Sequence, residues 1–160
     1  MTSRVLSLIS LFMMRFFIML TLLMGTWTTP GLAKDPDSID LNAYQWKNRL
    51  LFLFASSEEE EAYLTLKKEI VLQGKEIRDR DLLIFHVLEK GESRLGKEPL
   101  NPGQVLFLKR HFSIHPGPFM IILVGKDGGE KLRQDRPVEL KEVFRIIDAM
   151  PMRQQEMKKK

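Results

Sequence analysis

The sequence predicts an α/β fold: a four-stranded mixed sheet with helices on both faces, in the order strand–helix–strand–helix–strand–strand–helix. Three observations predict it. Arg49–Ala55, Asp81–Leu88 and Phe119–Val124 are near-continuous apolar runs, the pattern of strands buried on both faces. The two segments between them carry apolar residues at helical spacing. The turn Lys126-Asp-Gly-Gly129 then joins the third run to a short polar strand, Glu130–Arg133, because Asp-Gly supplies the positive φ values of a hairpin. Two helical crossovers put the first three strands parallel, and the hairpin adds an antiparallel fourth.

Each element has a local reason. After the first strand come Ser56-Ser57 and Glu58–Glu61. Ser57 is the expected helix N-cap, and the acids suit the positive end of the helix dipole as a solvated first turn. Tyr63, Leu66, Ile70 and Ile77 form the buried stripe of one helix, and Gly74 on that stripe lets it approach the sheet closely. Glu89–Leu100 is polar, contains Gly91, Gly96 and Pro99, and reads as a loop. Asn101-Pro-Gly-Gln104 opens the second helix with a capping box and an early proline. Val105, Leu106, Leu108 and Phe112 give its apolar face. Ser113–Pro118 is a rigid loop. Val138–Met150 is the last amphipathic helix, with Leu140, Val143, Phe144 and Ile147 on one side. Met150-Pro151 ends it, and a loose basic tail is expected over 151–160.

Charge and composition exclude several functions. The 160 residues carry a formal charge of +4. Residues 34–150 alone hold 19 bases against 20 acids, so the basicity belongs to the chain ends. A nucleic-acid-binding face, which needs clustered bases, is therefore not expected. Cysteine is absent. That removes disulfides, thiol redox chemistry, cysteine nucleophiles, cysteine-bound zinc and lipoprotein anchoring.

Residues 1–33 read as a signal peptide. Arg15 precedes the nine-residue apolar run Phe16–Met24, and Gly31-Leu-Ala33 places small residues before a cut at Ala33. Met13 or Met14 would serve as the start as well as Met1. The competing reading is a retained membrane anchor over Val5–Met24, which Arg15 in its middle disfavours. Cleavage leaves no stable membrane insertion and an exported chain, periplasmic or secreted. That chain has a lead-in over 34–48, a domain over 49–150 and the tail over 151–160.

The element order resembles the thioredoxin arrangement. In that superfamily an X-Pro before the third strand borders the active site and is usually cis; Pro118 would be that residue. Three stretches, Tyr44–Leu51 (YQWKNRLL), Gly125–Gly129 (GKDGG) and Ile147–Arg153 (IDAMPMR), look like signatures of a thioredoxin-like domain of unknown function. It occurs in secreted bacterial proteins and is related to domains of vertebrate extracellular sushi-repeat proteins. The resemblance covers about 40–157. It implies a peroxiredoxin-like or thioredoxin-like fold outside the cytoplasm and no settled activity. Glu139 departs from it, standing where a better helix cap is expected.

The chemistry that such a fold usually carries is missing. Thiol catalysis needs a thiolate at the helix start after the first strand. Here that zone is Ser56-Ser57-Glu58-Glu59, and serine without an adjacent base is a poor nucleophile. There is no Gly-x-Ser-x-Gly elbow and no phosphate-binding glycine loop. His111 and His115 are four apart, but Pro116 takes His115 out of the helix, so no metal site is expected. His86, alternating with apolar neighbours, reads as a hydrogen-bonded structural residue. Ser56, Ser57, Glu58, His115 and Pro118 form the candidate binding notch at the carboxyl ends of the strands, where open α/β sheets bind ligands. Trp46 and Arg49 either pack beneath the sheet and face solvent, respectively, or together anchor a partner.

No cofactor is expected. The function indicated is a non-catalytic binding module for an unknown protein or small ligand. The alternatives are an enzyme with non-thiol chemistry at the Ser56/Ser57/His115 notch and a membrane-anchored accessory protein.

Overall fold

The computed structural model describes residues 37–117 and 119–159. The signal-peptide reading of 1–33 and the cis bond at Pro118 lie outside the described residues. Among those described, no helix is long and apolar enough to cross a membrane.

The order is β1 (Arg49–Ser57), α1 (Glu61–Leu72), α2 (Gly74–Asp79), β2 (Leu82–Lys90), β3 (Arg94–Leu95), β4 (Glu98–Pro99), α3 (Pro102–His111), β5 (Met120–Val124), β6 (Glu130–Gln134), α4 (Leu140–Asp148) and α5 (Pro151–Lys158). A 3-10 turn, Leu41–Tyr44, precedes β1. The strands form one mixed sheet in the order β4-β3-β2-β1-β5-β6. β1 and β2 are parallel, Arg49 opposite Leu82. β5 is antiparallel to β1, Leu50 opposite Val124, and β6 is antiparallel to β5.

Two core layers sandwich the sheet. Leu51, Leu53 and Ala55 point to the face covered by Tyr63, Leu66, Ile77, Leu140, Val143 and Ile147 of the helices α1, α2 and α4. Leu50, Phe52 and Phe54 point to the other face, under Leu108 and Phe112. Every residue of β1 from Arg49 to Ala55 is buried, which is why its sequence shows no alternation.

Seven expectations need correction. The third long strand, β5, is antiparallel to β1 and not parallel. The segment between β2 and β5 contains a helix, which the sequence shows. What the sequence does not show is that this segment re-enters the sheet at the end where β2 finished: Met120 lies opposite Phe54 near the close of β1. The sheet has six strands, not four. The extra two are a two-residue hairpin inside the supposed loop, turned by Gly96 at φ 58° and tied down by Ser93, whose Oγ accepts from Leu88 N at 2.9 Å.

The helix after β1 is two helices. Gln73 leaves helical geometry at φ −107°, ψ 31°. A Cβ on Gly74 would meet only the Arg78 guanidinium, at 3.4 Å, so no close approach to the sheet is involved. Ser57 is the last residue of β1 and not the N-cap; α1 begins four residues later. Leu106 lies half exposed on α3, outside the buried face assigned to it. Finally, 151–158 is not a loose tail but α5, started by Pro151 at a position where the missing N–H costs nothing.

The cap of α3 forms as read. Gln104 N donates to Asn101 Oδ1 at 2.8 Å, and Asn101 N donates to Gln104 Oε1 at 3.0 Å. Asn101→Ala is expected to lower stability by about 1 kcal/mol, measurable by urea denaturation. An unchanged midpoint would show the cap to be idle. The hairpin at Gly125–Gly129 also forms, with Gly125 N donating to Gly129 O at 2.9 Å and Gly128 at φ 80°. Glu139 makes no cap for α4; Glu69 of α1 reaches over and accepts from Leu140 N at 2.6 Å.

Candidate functional site

The end of β1 is closed by its own side chains. Ser56 donates from both its N and its Oγ to Glu60 Oε2, each at 2.8 Å. Ser57 Oγ accepts from Glu59 N at 3.3 Å, and the Ser57 hydroxyl, donating to the Glu59 carboxylate, is the first cause that holds this exposed carboxyl below its ordinary range. Glu58 pairs with Lys67 at 2.5 Å and with Arg94 at 3.8 Å; the Lys67 hydrogen bond and charge lower its pKa. The acids are thus local ligands of Ser56, Ser57, Lys67 and Arg94, and only Glu61 lies in the helix.

His115 is exposed in the loop before β5 and makes no hydrogen bond or ion pair among the described residues. The register brings its loop to the same end of the sheet as Ser56 and Ser57, but no bond joins it to either serine. His111 stacks on Phe107 with centroids 5.8 Å apart. Among the described residues no group of three or more His, Asp or Glu could hold a metal ion.

Tyr63 and His86 form a buried pair between α1 and β2. Tyr63 Oη and His86 Nδ1 are 3.0 Å apart. Burial, with added repulsion from Arg94 and Lys67, pushes the His86 pKa down to about 4, Glu58 opposing. Burial also raises the Tyr63 phenol. Both groups are neutral at pH 7. The unfolded imidazole titrates near 6.5, so the unfolded chain binds the extra proton first as pH falls. The stability contribution is whole above pH 6.5 and is lost down to about pH 4, at about 1.4 kcal/mol per pH unit at most. Urea midpoints at pH 7 and pH 5 should differ accordingly, and His86→Phe should flatten the difference. An equal slope in the variant would mean that His86 is not its source.

A groove of about 790 Å³ runs along the outer side of β2, which sequence reasoning missed. Its wall draws Ile70 and Ile77 from one core layer and Tyr44 and Leu95 from the other, so it lies at the rim of the sheet and not over a face. Lys67, Arg78, Arg94 and Lys97 line it against one acid, Glu98. The signal was present in the two-residue strands of 94–99, which are too short to read from periodicity.

The opposite end of the sheet holds an ion cluster in which Arg49, Lys126 and Arg153 are buried and the acids are partly exposed. Arg49 is fully buried and does not face solvent. Its guanidinium donates to Arg80 O at 2.8 Å and to both carboxylate oxygens of Glu156 at 3.2–3.3 Å, while its Nε has no partner. Lys126 Nζ bonds Asp81 at 2.7 Å and Glu156 at 2.8 Å. Arg153, also buried, pairs with Asp79 and, at 3.2 Å, with Asp148, which Arg80 holds at 2.6 Å. Four bases face four acids. Arg49 therefore offers no surface to a partner; it pins α5 across the start of β1. Trp46 does not pack beneath the sheet. It is 62 % exposed, in left-handed backbone at φ 64°, with its N donating to Lys126 O at 2.6 Å. The three stretches that carry the family resemblance, 44–51, 125–129 and 147–153, meet in this cluster.

Comparison with known proteins bears on the domain-of-unknown-function part of that resemblance. Coiled-coil domain-containing protein 80 of Danio rerio is 28% identical over 133 residues, covering 73% of this chain. The chain spans only 15% of that relative's length. The solved mitochondrial 2-cys peroxiredoxin of Plasmodium falciparum is similar at 12% identity and a TM-score of 0.45, over 69% of this chain and 80% of that one. Residues 40–156 match a family model, and the chain belongs to that family, described as a domain of unknown function (DUF4174).

Proposed function

We propose that this domain is a thioredoxin-like binding module that carries no thiol chemistry and works outside the cytoplasm. The observation behind it is the end of β1. Where a thioredoxin needs an attacking thiolate, this chain has Ser56, engaged by Glu60 at 2.8 Å, and no cysteine anywhere in its sequence. The strand directions support the thioredoxin-like build: a parallel pair, β1 and β2, continued by the antiparallel β5 and β6, with helices on both faces. Export rests on the Arg15–Met24 and Gly31–Ala33 pattern. Kinship with secreted bacterial proteins and with vertebrate sushi-repeat proteins belongs to the same proposal.

The purified protein should show only background in insulin-reduction and peroxide-consumption assays. Sustained turnover free of contaminating enzyme would overturn the non-catalytic reading. Intact-mass measurement of the protein exported by its host should find Lys34 at the N-terminus; a product retaining 16–33 would overturn the cleavage.

A further inference from the structure

We infer that the groove beside β2 takes an extended acidic segment of another protein, which adds as a short strand to the open edge of the sheet. The inference rests on the binding-module reading and names its ligand.

The edge is open over three residues. β2 has β1 along its inner side from Leu82 to Lys90, but β3 pairs only with Phe85 and His86 on the outer side. Leu82, Leu83 and Ile84 have no strand there; the single backbone bond from that side is Gly96 N to Ile84 O, at 3.2 Å. All three line the groove. Backbone groups alternate sides along a strand, so that side offers the N–H and C=O of Leu82 and the N–H of Ile84, and unpaired edge groups are a template for another strand. The gap takes three or four residues of extended chain, about 10–13 Å.

The walls say which side chains that strand carries. A β-strand sends alternate side chains to opposite faces. Here the two faces are Ile70, Val71 and Ile77 on one side and Tyr44 and Leu95 on the other, so apolar residues find contact on both. The charges ask for acids. Glu58 engages Lys67 and Arg94. The side chains of Arg78 and Lys97 are exposed and have no ion pair or hydrogen bond among the described residues, and each residue lines the groove. Two such cations are too few to hold a nucleic-acid backbone. They suit one or two carboxylates on an extended chain, with main-chain bonds giving affinity and side chains specificity.

The test uses the purified protein and a fluorescein-labelled octapeptide of alternating Glu and Val. Saturable binding is expected, with amide shift changes at Leu82, Leu83, Ile84 and Gly96. Joint reversal by Arg78→Glu and Lys97→Glu, both on exposed side chains, should weaken it at least ten-fold and should let the matching Lys/Val peptide bind instead. N-methylation of alternate residues should abolish binding in one phase and be tolerated in the other, because only one set of N–H groups faces the edge. No binding at millimolar peptide, equal binding after charge reversal, or tolerance of methylation in both phases overturns the inference. If decanoate shifts the same amides and the peptide does not, the groove holds an anionic amphiphile, which removes the peptide and leaves the binding module standing. Turnover in the redox assays would remove the module reading independently of either result.

Discussion

Glu156→Ala is expected to lower folding stability by about 2–4 kcal/mol, below the range for a fully buried pair because its carboxylate is partly solvated. The carboxylate faces three buried cations at once, Arg49 at 3.2 Å, Lys126 at 2.8 Å and Arg153 at 3.7 Å. Its removal leaves Arg49, already short of a partner at Nε, with only the Arg80 carbonyl. The loss should show as a shifted urea midpoint; Glu92→Ala, in the exposed turn after β2, should stay within about 0.5 kcal/mol of the parent. The pair Arg49→Met with Glu156→Leu should recover part of the loss, because it removes the stranded charge. Equal midpoints for Glu156→Ala and the parent would show the cluster to be energetically idle. The same group sets an acid limit. Burial alone would raise the Glu156 carboxyl, but the Lys126 hydrogen bond and the Arg49 and Lys126 charges hold it below its ordinary range. A carboxylate with a depressed folded pKa contributes fully above its unfolded value, about 4.3. That contribution fades as pH falls from there through the folded value, below the window in which His86 acts.

Phe52→Ala is expected to cost about 3–5 kcal/mol. Phe52 is fully buried at the centre of the sheet, with Phe85 at 4.6 Å and Phe112 at 4.5 Å between ring centroids. Its removal takes away the aromatic contact on which β1, β2 and the end of α3 converge, and leaves a void that the close-packed sheet cannot collapse around. Thermal unfolding should show the effect, and Phe52→Leu should lose much less. A loss under about 1 kcal/mol for the alanine variant would mean that the layer repacks freely. The two sites share no partners, Glu156 binding Arg49 and Lys126 and Phe52 packing on Phe85 and Phe112, so their effects should add.

Much of this architecture is legible in the sequence. Arg49–Ala55 and Asp81–Leu88 read as buried strands because both faces of the sheet are covered. The Asn101 cap and the Asp127-Gly128 turn read correctly because their signals are local: one side chain reaching three residues on, one glycine at positive φ. What is not legible is long-range. The direction of β5 depends on which end of the sheet the chain re-enters. The break at Gln73 is a matter of tertiary fit, since glycine alone does not end a helix. The 151–158 segment looks like a solvated basic tail because Arg153 and Glu156 are polar; their partners lie 74 and 107 residues away, at Asp79 and Arg49. For the site, Ser56, Ser57 and Glu58 were found at the expected end of the sheet, but their bonds are to Glu60, Glu59 and Lys67. The open edge of β2 is defined by strands of two residues and leaves no periodic trace.

The place of Glu156 in the chain gives the molecule an order of assembly. Synthesis runs from the N-terminus, so Arg49 and Lys126 emerge before Glu156, the acid that pairs with both. Until α5 is made, the growing chain can pair β1 with β2 and β5, but it must either leave the Arg49 guanidinium in water or bury it with its charge uncompensated. Docking of α5 then completes the ion cluster of this domain. Chains stalled or clipped before it should be the ones that proteases recognise, which makes α5 a mark that this domain has folded as well as a brace.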